Sequence, residues 1–234
     1  MPFFYPILPT TSLTFFHLLC FHRMELISAS SIRTWERFYR ANFINSLTGF
    51  KSVNLIGTVN SAGKTNLGVF SSIVHIGSDP ALVGYINRPT KAAPHTISNI
   101  HASSLYTINH IHPSFLEKAH QTSAKYSAEV SEFDEVGLTP EFIEPIQAPF
   151  VKESRVKYDL SLKEIIPIQL NNTFLVIGEI LYVKLEDDIL LDDGFLSLDK
   201  ASSLCSNGTD GYYSTQLINR YHYAKPGVHP KKLN

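Results

Sequence analysis

Short apolar runs separated by turn signals dominate the first half of this 234-residue chain. Residues 52–59 read as a strand, and the tetrapeptide 60–63, NSAG, is typical of a hairpin turn. A second strand is predicted over 69–76, Asp79-Pro80 breaks it, and a third follows over 82–86. Because closely spaced strands with local turns pair with antiparallel neighbours, this pattern predicts a mainly β fold, an antiparallel barrel with added helices.

Helical patterns occur at three places. Apolar and aromatic residues recur at helical spacing over 32–47, which predicts an amphipathic helix whose aromatic stripe packs in the core. Pro94 and Thr96 open a short helix, and residues 113–128 also read as helical.

The rest of the chain is predicted from weaker signals. Residues 104–111 resume strand character, and 131–149 read as irregular. Asn171-Asn172 is expected to form a hairpin turn between two later strands. The last 30 residues are expected to form an ordered tail over the surface.

The first 23 residues differ in texture from the rest. Their apolar run, 13–21, resembles part of a signal peptide, but His17 interrupts it and neither a preceding basic residue nor a small-residue cleavage site is found. We therefore expect an N-terminal extension over 1–23 and a single domain over 24–234.

The charge balance limits the classes of partner. Twenty Lys and Arg residues against 21 Asp and Glu give a net charge of −1. This balance argues against an electrostatic grip on nucleic acid or an anionic membrane, and no segment is long and apolar enough to span a bilayer. Cys20 and Cys205 leave a single disulfide open, but reduced thiols and a cytoplasmic location are the simpler interpretation.

The segment 57–65, GTVNSAGKT, is similar to a phosphate-binding loop. That loop has four residues between its first glycine and the Gly-Lys pair, whereas this segment has five. It also requires a following helix, and the residues here are strand-like. We interpret the segment as a hairpin turn with an exposed Lys64.

Four histidines cluster loosely in sequence: His101, His110, His112 and His120. His110 and His112 would share one face of a strand, an arrangement that metal ligation allows. Glu117 is the only adjacent carboxylate and the spacing matches no closed zinc site, so we predict no metal site. A Ser-His-Asp triad stays open from composition, although no G-x-S-x-G elbow occurs.

Residues 66–82, NLGVFSSIVHIGSDPAL, place adjacent serines in an apolar run. A core strand has no need of them, because each buried hydroxyl without a partner costs about 1–3 kcal/mol. These serines belong to an ordered set that consists of Asn66, Phe70-Ser71-Ser72, Asp79-Pro80, the strand over 82–86, Thr96 and Asn99-Ile100. The set resembles the flavin reductase-like family with the FMN-binding split barrel. The clear match covers about residues 40–110, and one departure is Ala81, where family members often have a second proline.

The resemblance implies an antiparallel split barrel of Greek-key type that binds FMN, with the chemistry on the flavin and no catalytic side chain. The residues that it implies for cofactor binding are Asn66, Leu67, Val69, Phe70, Ser71, Ser72, Arg88, His95 and Thr96. The apolar side chains among them would pack against the flavin ring. The hydroxyls and the Asn66 amide would suit the ribityl chain and phosphate. Arg88 and the helix start at Thr96 would bind phosphate. Simpler roles stay open: a helix cap for Thr96, a surface charge for Arg88, and packing for His75.

The resemblance also implies a function. An NAD(P)H-dependent flavin reductase, or a flavoprotein that passes electrons to a partner, is expected, as a homodimer with flavin sites at or beside the interface. Aromatic residues of the 32–47 helix and of the closing tail would supply contacts between the subunits. The alternatives are a non-enzymatic flavin- or heme-binding module and, more remotely, a β-barrel that binds a protein partner and no flavin.

Overall fold

The computed structural model describes residues 24–89 and 94–233, so the expectation for residues 1–23 and the state of Cys20 lie outside the described residues. The helices are α1 (Ala29–Thr34), α2 (Arg37–Leu47), α3 (Pro94–Ser103), α4 (Leu116–Gln121) and α5 (Glu132–Val136), with a 3₁₀ turn at Pro113–Phe115. The strands are β1 (Lys51–Ser52), β2 (Asn54–Val59), β3 (Thr65–Phe70), β4 (Val74–Ser78), β5 (Ala81–Asn87), β6 (Leu105–His110), β7 (Pro140–Ile143), β8 (Ile146–Val151), β9 (Val156–Ile168), β10 (Thr173–Leu185), β11 (Cys205–Asn207) and β12 (Gly211–Tyr213). The described residues separate into two compact units with the division after Arg40, and these strands all belong to the second. Within the described ranges, none of the helices has the length and hydropathy needed to cross a bilayer.

Seven strands form one antiparallel sheet in the order β3-β2-β6-β9-β10-β5-β4. Its two edge strands, β3 and β4, are consecutive in the chain and are joined only by residues 71–73. In a flat sheet the edges would be about 29 Å apart, whereas the chain from Phe70 to Val74 spans at most about 14 Å. The sheet must therefore curl until its edges meet, which makes a barrel with one open seam at residues 71–73. This confirms the predicted antiparallel barrel.

The seam corrects the prediction of one strand over 69–76. β3 ends at Phe70 and β4 begins at Val74, because the chain has to cross from one edge of the sheet to the other. The Ser72 hydroxyl stabilises this crossing: its Oγ accepts the N–H of Ile86 on β5 and donates to the carbonyl oxygen of the same residue, both at 3.1 Å. One of the two adjacent serines thus has a structural partner.

Two hydrophobic cores lie on opposite faces of β2, because this strand is buried on both sides. The first, the barrel core, consists of Ile56, Val83, Tyr85, Ile97, Ile100, Tyr106, Ile108, Leu160 and Val176. The second, the outer core, includes Leu55, Leu67 and Phe115 together with residues of α4, α5 and β8. Helix α3 thus packs into the barrel, and α4 and α5 pack outside it.

Gly57 allows β8 to cross over β2 and β6. A Cβ at this position would collide with the Pro149 carbonyl oxygen and would lie 2.7 Å from Thr107 Oγ1. The Thr107 hydroxyl already donates to that carbonyl at 2.6 Å, so neither group is free to move.

The first predicted helix is two helices, and its aromatic stripe does not lie in a core. The helical pattern is interrupted after Thr34, and Glu36 caps α2 with a carboxylate that accepts the N–H groups of Phe38 and Tyr39 at 2.7 and 3.0 Å. Neither helix has a buried residue, and the side chains of Phe38 and Tyr39 are 70% and 63% exposed. The prediction of core packing is therefore wrong.

Two further expectations are corrected between residues 113 and 151. The segment 113–128 is helical only to Gln121, where the Thr122 hydroxyl bonds back to the Ala119 carbonyl at 2.8 Å. The stretch predicted as irregular, 131–149, contains α5, β7 and most of β8. These elements are short and depend on contacts with distant strands, so local periodicity gave no sign of them. The hairpin turn after β2, the Asp79-Pro80 break, the start of α3 and the turn at Asn171-Asn172 are confirmed.

Candidate functional site

Four buried polar side chains connect β2, β3 and the first turns of α3. Asn66 Nδ2 donates to Thr58 Oγ1 at 3.3 Å and to Thr96 Oγ1 at 3.2 Å. Asn99 Nδ2 donates to the same Thr58 oxygen at 3.0 Å. We call Thr58, Asn66, Thr96 and Asn99 the polar cluster. Because buried polar groups are costly without partners, these bonds fix α3 against the β2–β3 hairpin.

A cleft of about 200 Å³ opens beside the polar cluster. It lies between the β2–β3 turn, one face of α3 and the segment before α5, and its lining consists of Asn60, Lys64, Thr65, Asn66, His95, Ser98, Asn99, Ala128 and Val130. The structure thereby brings together two residues that the sequence singled out, Asn66 and His95.

The other predicted residues on β3 lie on its two opposite faces. Phe70 packs against the barrel core, on the same face as Asn66. Leu67 is a member of the outer core, and Val69 packs against it. The structure therefore places the Leu67 side chain in the protein interior, where it cannot wall a flavin ring, and Val69 on the face of β3 opposite Asn66.

The side chains of Phe70 and Thr96 lie close together beside Gly68. The Phe70 ring packs edge-on against Tyr85 with ring centroids 5.1 Å apart. A Cβ on Gly68 would lie 3.2 Å from Phe70 Cε2 and 3.6 Å from Thr96 Oγ1. An aromatic edge and a hydroxyl are thus adjacent on the face of β3 that leads from the cleft to the seam.

The remaining predicted residues lie at the seam or beyond it. The Ser72 hydroxyl is committed to Ile86, whereas that of half-buried Ser71 has no hydrogen-bond partner in the described part of the chain. Arg88 is exposed, follows β5 and does not line the cleft. His75 is exposed on β4.

One wall of the cleft is tied to β3 by two side chains that sequence reasoning did not select. Ser131 Oγ lies 2.6 Å from Thr65 Oγ1, and Glu132 Oε2 accepts the N–H of Leu67 at 3.0 Å. Burial raises the pKa of Glu132, while the bond from Leu67 and the nearby His95 act in the opposite direction. Because β3 is an edge strand, the carboxylate also protects an otherwise unpaired backbone group.

Thr58 is the polar-cluster member that sequence reasoning missed, whereas Asn99 belonged to the family-like set but was not assigned to the site. A usable signal existed for Thr58, because the turn at 60–63 fixes the hairpin register and sets Thr58 directly opposite Asn66. Asn99 lies one helical turn after His95, so the two share a face of α3.

Three of the clustered histidines have hydroxyl partners elsewhere. Nδ1 of His110 lies 3.0 Å from Ser203 Oγ, that of His112 lies 2.8 Å from a serine hydroxyl two residues later, and that of His120 lies 2.7 Å from Tyr212 OH. His112 follows the end of β6, so the expected shared strand face is not formed. Over residues 24–89 and 94–233, no group of three or more His, Cys, Asp or Glu side chains is placed to hold a metal ion.

Comparison with known proteins gives the family. Residues 48–198 match the model of the flavin reductase like domain. The crystal structure of a Shewanella frigidimarina protein, described as a flavin reductase with a split barrel domain, is 46% identical with a TM-score of 0.83 and covers 86% of this chain and 100% of that chain.

Two more distant structures share the fold. Nitrilotriacetate monooxygenase component B from Bacillus cereus is 17% identical, with a TM-score of 0.73 over 83% of this chain and 97% of that chain. Flavoredoxin of Desulfovibrio vulgaris is 23% identical, with a TM-score of 0.64 over 76% of this chain and 92% of that chain. Since the family match covers well over half of its residues, the chain belongs to the flavin reductase like domain family, has the split-barrel fold and is a flavin-related oxidoreductase.

Proposed function

We propose that this protein is an FMN-binding oxidoreductase, an NAD(P)H-dependent flavin reductase that passes electrons through bound flavin. The observation that carries the proposal is the polar cluster beside an open cleft at the start of α3, within the segment that matches the family. When bound, the flavin would supply the hydride-accepting ring, and the chain itself would bind and orient it.

The residues present fit the chemically distinct parts of FMN. At the seam, half-buried Phe70 ends β3 and offers an aromatic edge to a ring, while Val74 and Ile76 of β4 lie on the other face of the sheet and are 48% and 41% exposed. Toward the cleft, about 13 Å along β3 at 3.3 Å per residue, the Asn66 amide meets hydroxyl and amide groups suited to a polyol chain. The proposed direct contacts are Asn66, Phe70, Ser71, Arg88, His95 and Thr96.

Two of the residues first implied would then act indirectly. Ser72 would hold the seam through Ile86, two residues before Arg88 in the chain. Leu67 would contribute through packing and through its N–H bond to Glu132. The planar, charged Arg88 guanidinium is suited to phosphate oxygens.

We also propose a cytoplasmic homodimer in which the second subunit covers β4. Four of the five residues of β4 are exposed in the single chain although Val74 and Ile76 are apolar. A partner on this edge would lie next to the seam and would complete the ring's surroundings. Light scattering at twice 26.3 kDa, with flavin loss on dilution to monomer, would support this arrangement, and a flavin-retaining monomer would contradict it.

The activity is tested by steady-state oxidation of NADH and NADPH with and without added FMN. Oxidation that depends on FMN and saturates with the nicotinamide nucleotide is expected. A protein that binds FMN but oxidises neither nucleotide would instead be a non-enzymatic flavin module.

A further inference from the structure

Lys64 stands at the cleft on a turn whose backbone is fixed. Asn60 Oδ1 accepts the N–H groups of Ala62 and Lys64 at 3.0 and 2.9 Å, and the Asn60 N–H donates to the Lys64 carbonyl at 2.9 Å. The Lys64 ammonium makes neither an ion pair nor a hydrogen bond with any residue in 24–89 or 94–233. A cation without a protein counter-ion therefore borders the cleft.

The facing wall of the cleft is polar and belongs to α3. His95 and Ser98 lie on this wall, and the Ser98 hydroxyl donates to the His95 carbonyl at 3.0 Å. With its proton committed to that carbonyl, the Ser98 hydroxyl can still accept, while the imidazole can donate to a ligand oxygen. Lys64 and His95 thus provide donors for an anion from both sides.

Two buried amides add acceptors at the inner end of the cleft. Asn66 and Asn99 are each only 8% exposed, and both line it. Their nitrogen atoms are committed to the threonines of the polar cluster, whereas their Oδ1 atoms have no hydrogen-bond partner among the described residues. Because both residues line the cleft and these oxygens are not among the buried atoms closed off from solvent, they are placed to receive donors from a ligand.

We propose that this cleft binds a sugar phosphate, with Lys64 and His95 on the phosphate and the Asn66 and Asn99 oxygens on the sugar hydroxyls. A sulfate ion has no donors for the two amide oxygens, and a flavin ring does not match a lining of amides, hydroxyls, an imidazole and an ammonium group. The inference deepens the proposed function and rests on it for the identity of the molecule that carries the sugar phosphate. In the proposed reaction, FMN carries a ribityl phosphate and the nicotinamide nucleotide carries ribose phosphates.

The cleft itself is tested with ribose 5-phosphate as the probe, by NMR chemical-shift titration of the full chain. The Lys64→Gln variant keeps the backbone bonds of the turn and should lose at least about tenfold in affinity, because it loses a charge-assisted hydrogen bond. Lys64→Arg should bind within about twofold of wild type, as should the control Lys225→Gln, an exposed lysine of the closing tail that does not line the cleft. Unchanged binding by Lys64→Gln, or an absence of saturable binding by the wild-type protein, would overturn the proposal.

Two further measurements identify the molecule that carries the sugar phosphate. If the group belongs to FMN, Lys64→Gln should weaken FMN about tenfold and leave riboflavin unchanged. If it belongs to the nicotinamide nucleotide, the KM for that nucleotide should rise about tenfold while kcat and FMN affinity stay the same. Lys64-dependent binding of ribose 5-phosphate by a protein that neither binds flavin nor oxidises NAD(P)H would uphold the cleft site and refute the proposed function.

Discussion

Replacing Asp159 with asparagine should change how the free energy of unfolding depends on pH. Asp159 lies on β9 opposite Thr107 of β6 and Tyr182 of β10, is 2% exposed, and has an Oδ1 atom without a hydrogen-bond partner in the described part of the chain. Burial raises the pKa of this carboxyl from 3.8 to about 6, and a backbone bond from Leu160 offsets the shift only in part.

The size and sign of the effect follow from that shift. A carboxyl whose folded pKa is raised stabilises the fold while it is protonated, and this stabilisation is lost as the pH rises from below 3.8 through about 6. At about 1.36 kcal/mol per pH unit, the full loss is about 3 kcal/mol. An amide does not titrate, so Asp159→Asn should abolish this contribution.

His110 makes an opposite contribution over nearly the same pH range. Burial lowers the pKa of its imidazole from 6.5 to about 4, so the folded protein holds it neutral beside Ser203. Its stabilisation is present above pH 6.5 and is lost as the pH falls toward 4, again by about 3 kcal/mol. In the wild-type chain the two contributions to the pH dependence of the free energy of unfolding nearly cancel. In Asp159→Asn only the contribution of His110 should remain.

Urea unfolding followed by circular dichroism between pH 4 and 6.5 is the assay. Relative to wild type, the free energy of unfolding of Asp159→Asn should rise with pH by about 2–3 kcal/mol over this range, whatever constant offset the new amide introduces. His110→Gln should show the opposite slope. If the free energies of unfolding of wild type and Asp159→Asn differ by the same amount at every pH, the reasoning is refuted.

Three other predictions test the fold and the site. In chemical unfolding, Gly57→Ala should lower the free energy of unfolding by at least about 3 kcal/mol, because its Cβ meets a fixed backbone carbonyl. Gly68→Ala should lower it by less than about 1.5 kcal/mol, since the aromatic edge beside it can shift. Equal losses for the two variants would contradict the packing described. A chain that begins at Met24 should match the melting temperature and flavin affinity of the full chain, and a large drop in either would show that residues 1–23 contribute to the domain. Arg88→Ala with Thr96→Val should weaken FMN at least about tenfold more than riboflavin in fluorescence titrations, and equal weakening would remove both residues from the phosphate role.

Local chemistry made part of the fold predictable. The turn after β2 depends on Asn60, whose side chain bonds two backbone groups within four residues of it. The start of α3 depends on Pro94, which fits the first helical position. Features of this kind are determined by neighbours in sequence, so they can be recognised without the fold.

The features that could not be predicted depend on closure of the barrel. Residues 69–76 have the composition of one strand, and only the need to join two sheet edges divides it at the seam. The same closure decides that Leu67 faces the outer core and that Glu132, 65 residues away, bonds to its N–H. Asn66 was identified through the resemblance to a family, and Thr58 lies opposite it in the hairpin register. The bond from Asn66 to Thr96 and the bond from Asn99 to Thr58 became visible only when α3 was placed against the hairpin.

The central claim is that flavin binds beside the polar cluster at the start of α3, and FMN titration of wild type and Asn66→Ala tests it most directly. The quenching of flavin fluorescence on binding is the measurement, with melting temperatures as the check that the variant is folded. We expect saturable binding by wild type and a loss of at least about tenfold for Asn66→Ala, because the amide is the hub of the cluster. A folded Asn66→Ala protein that binds FMN as tightly as wild type would contradict the account.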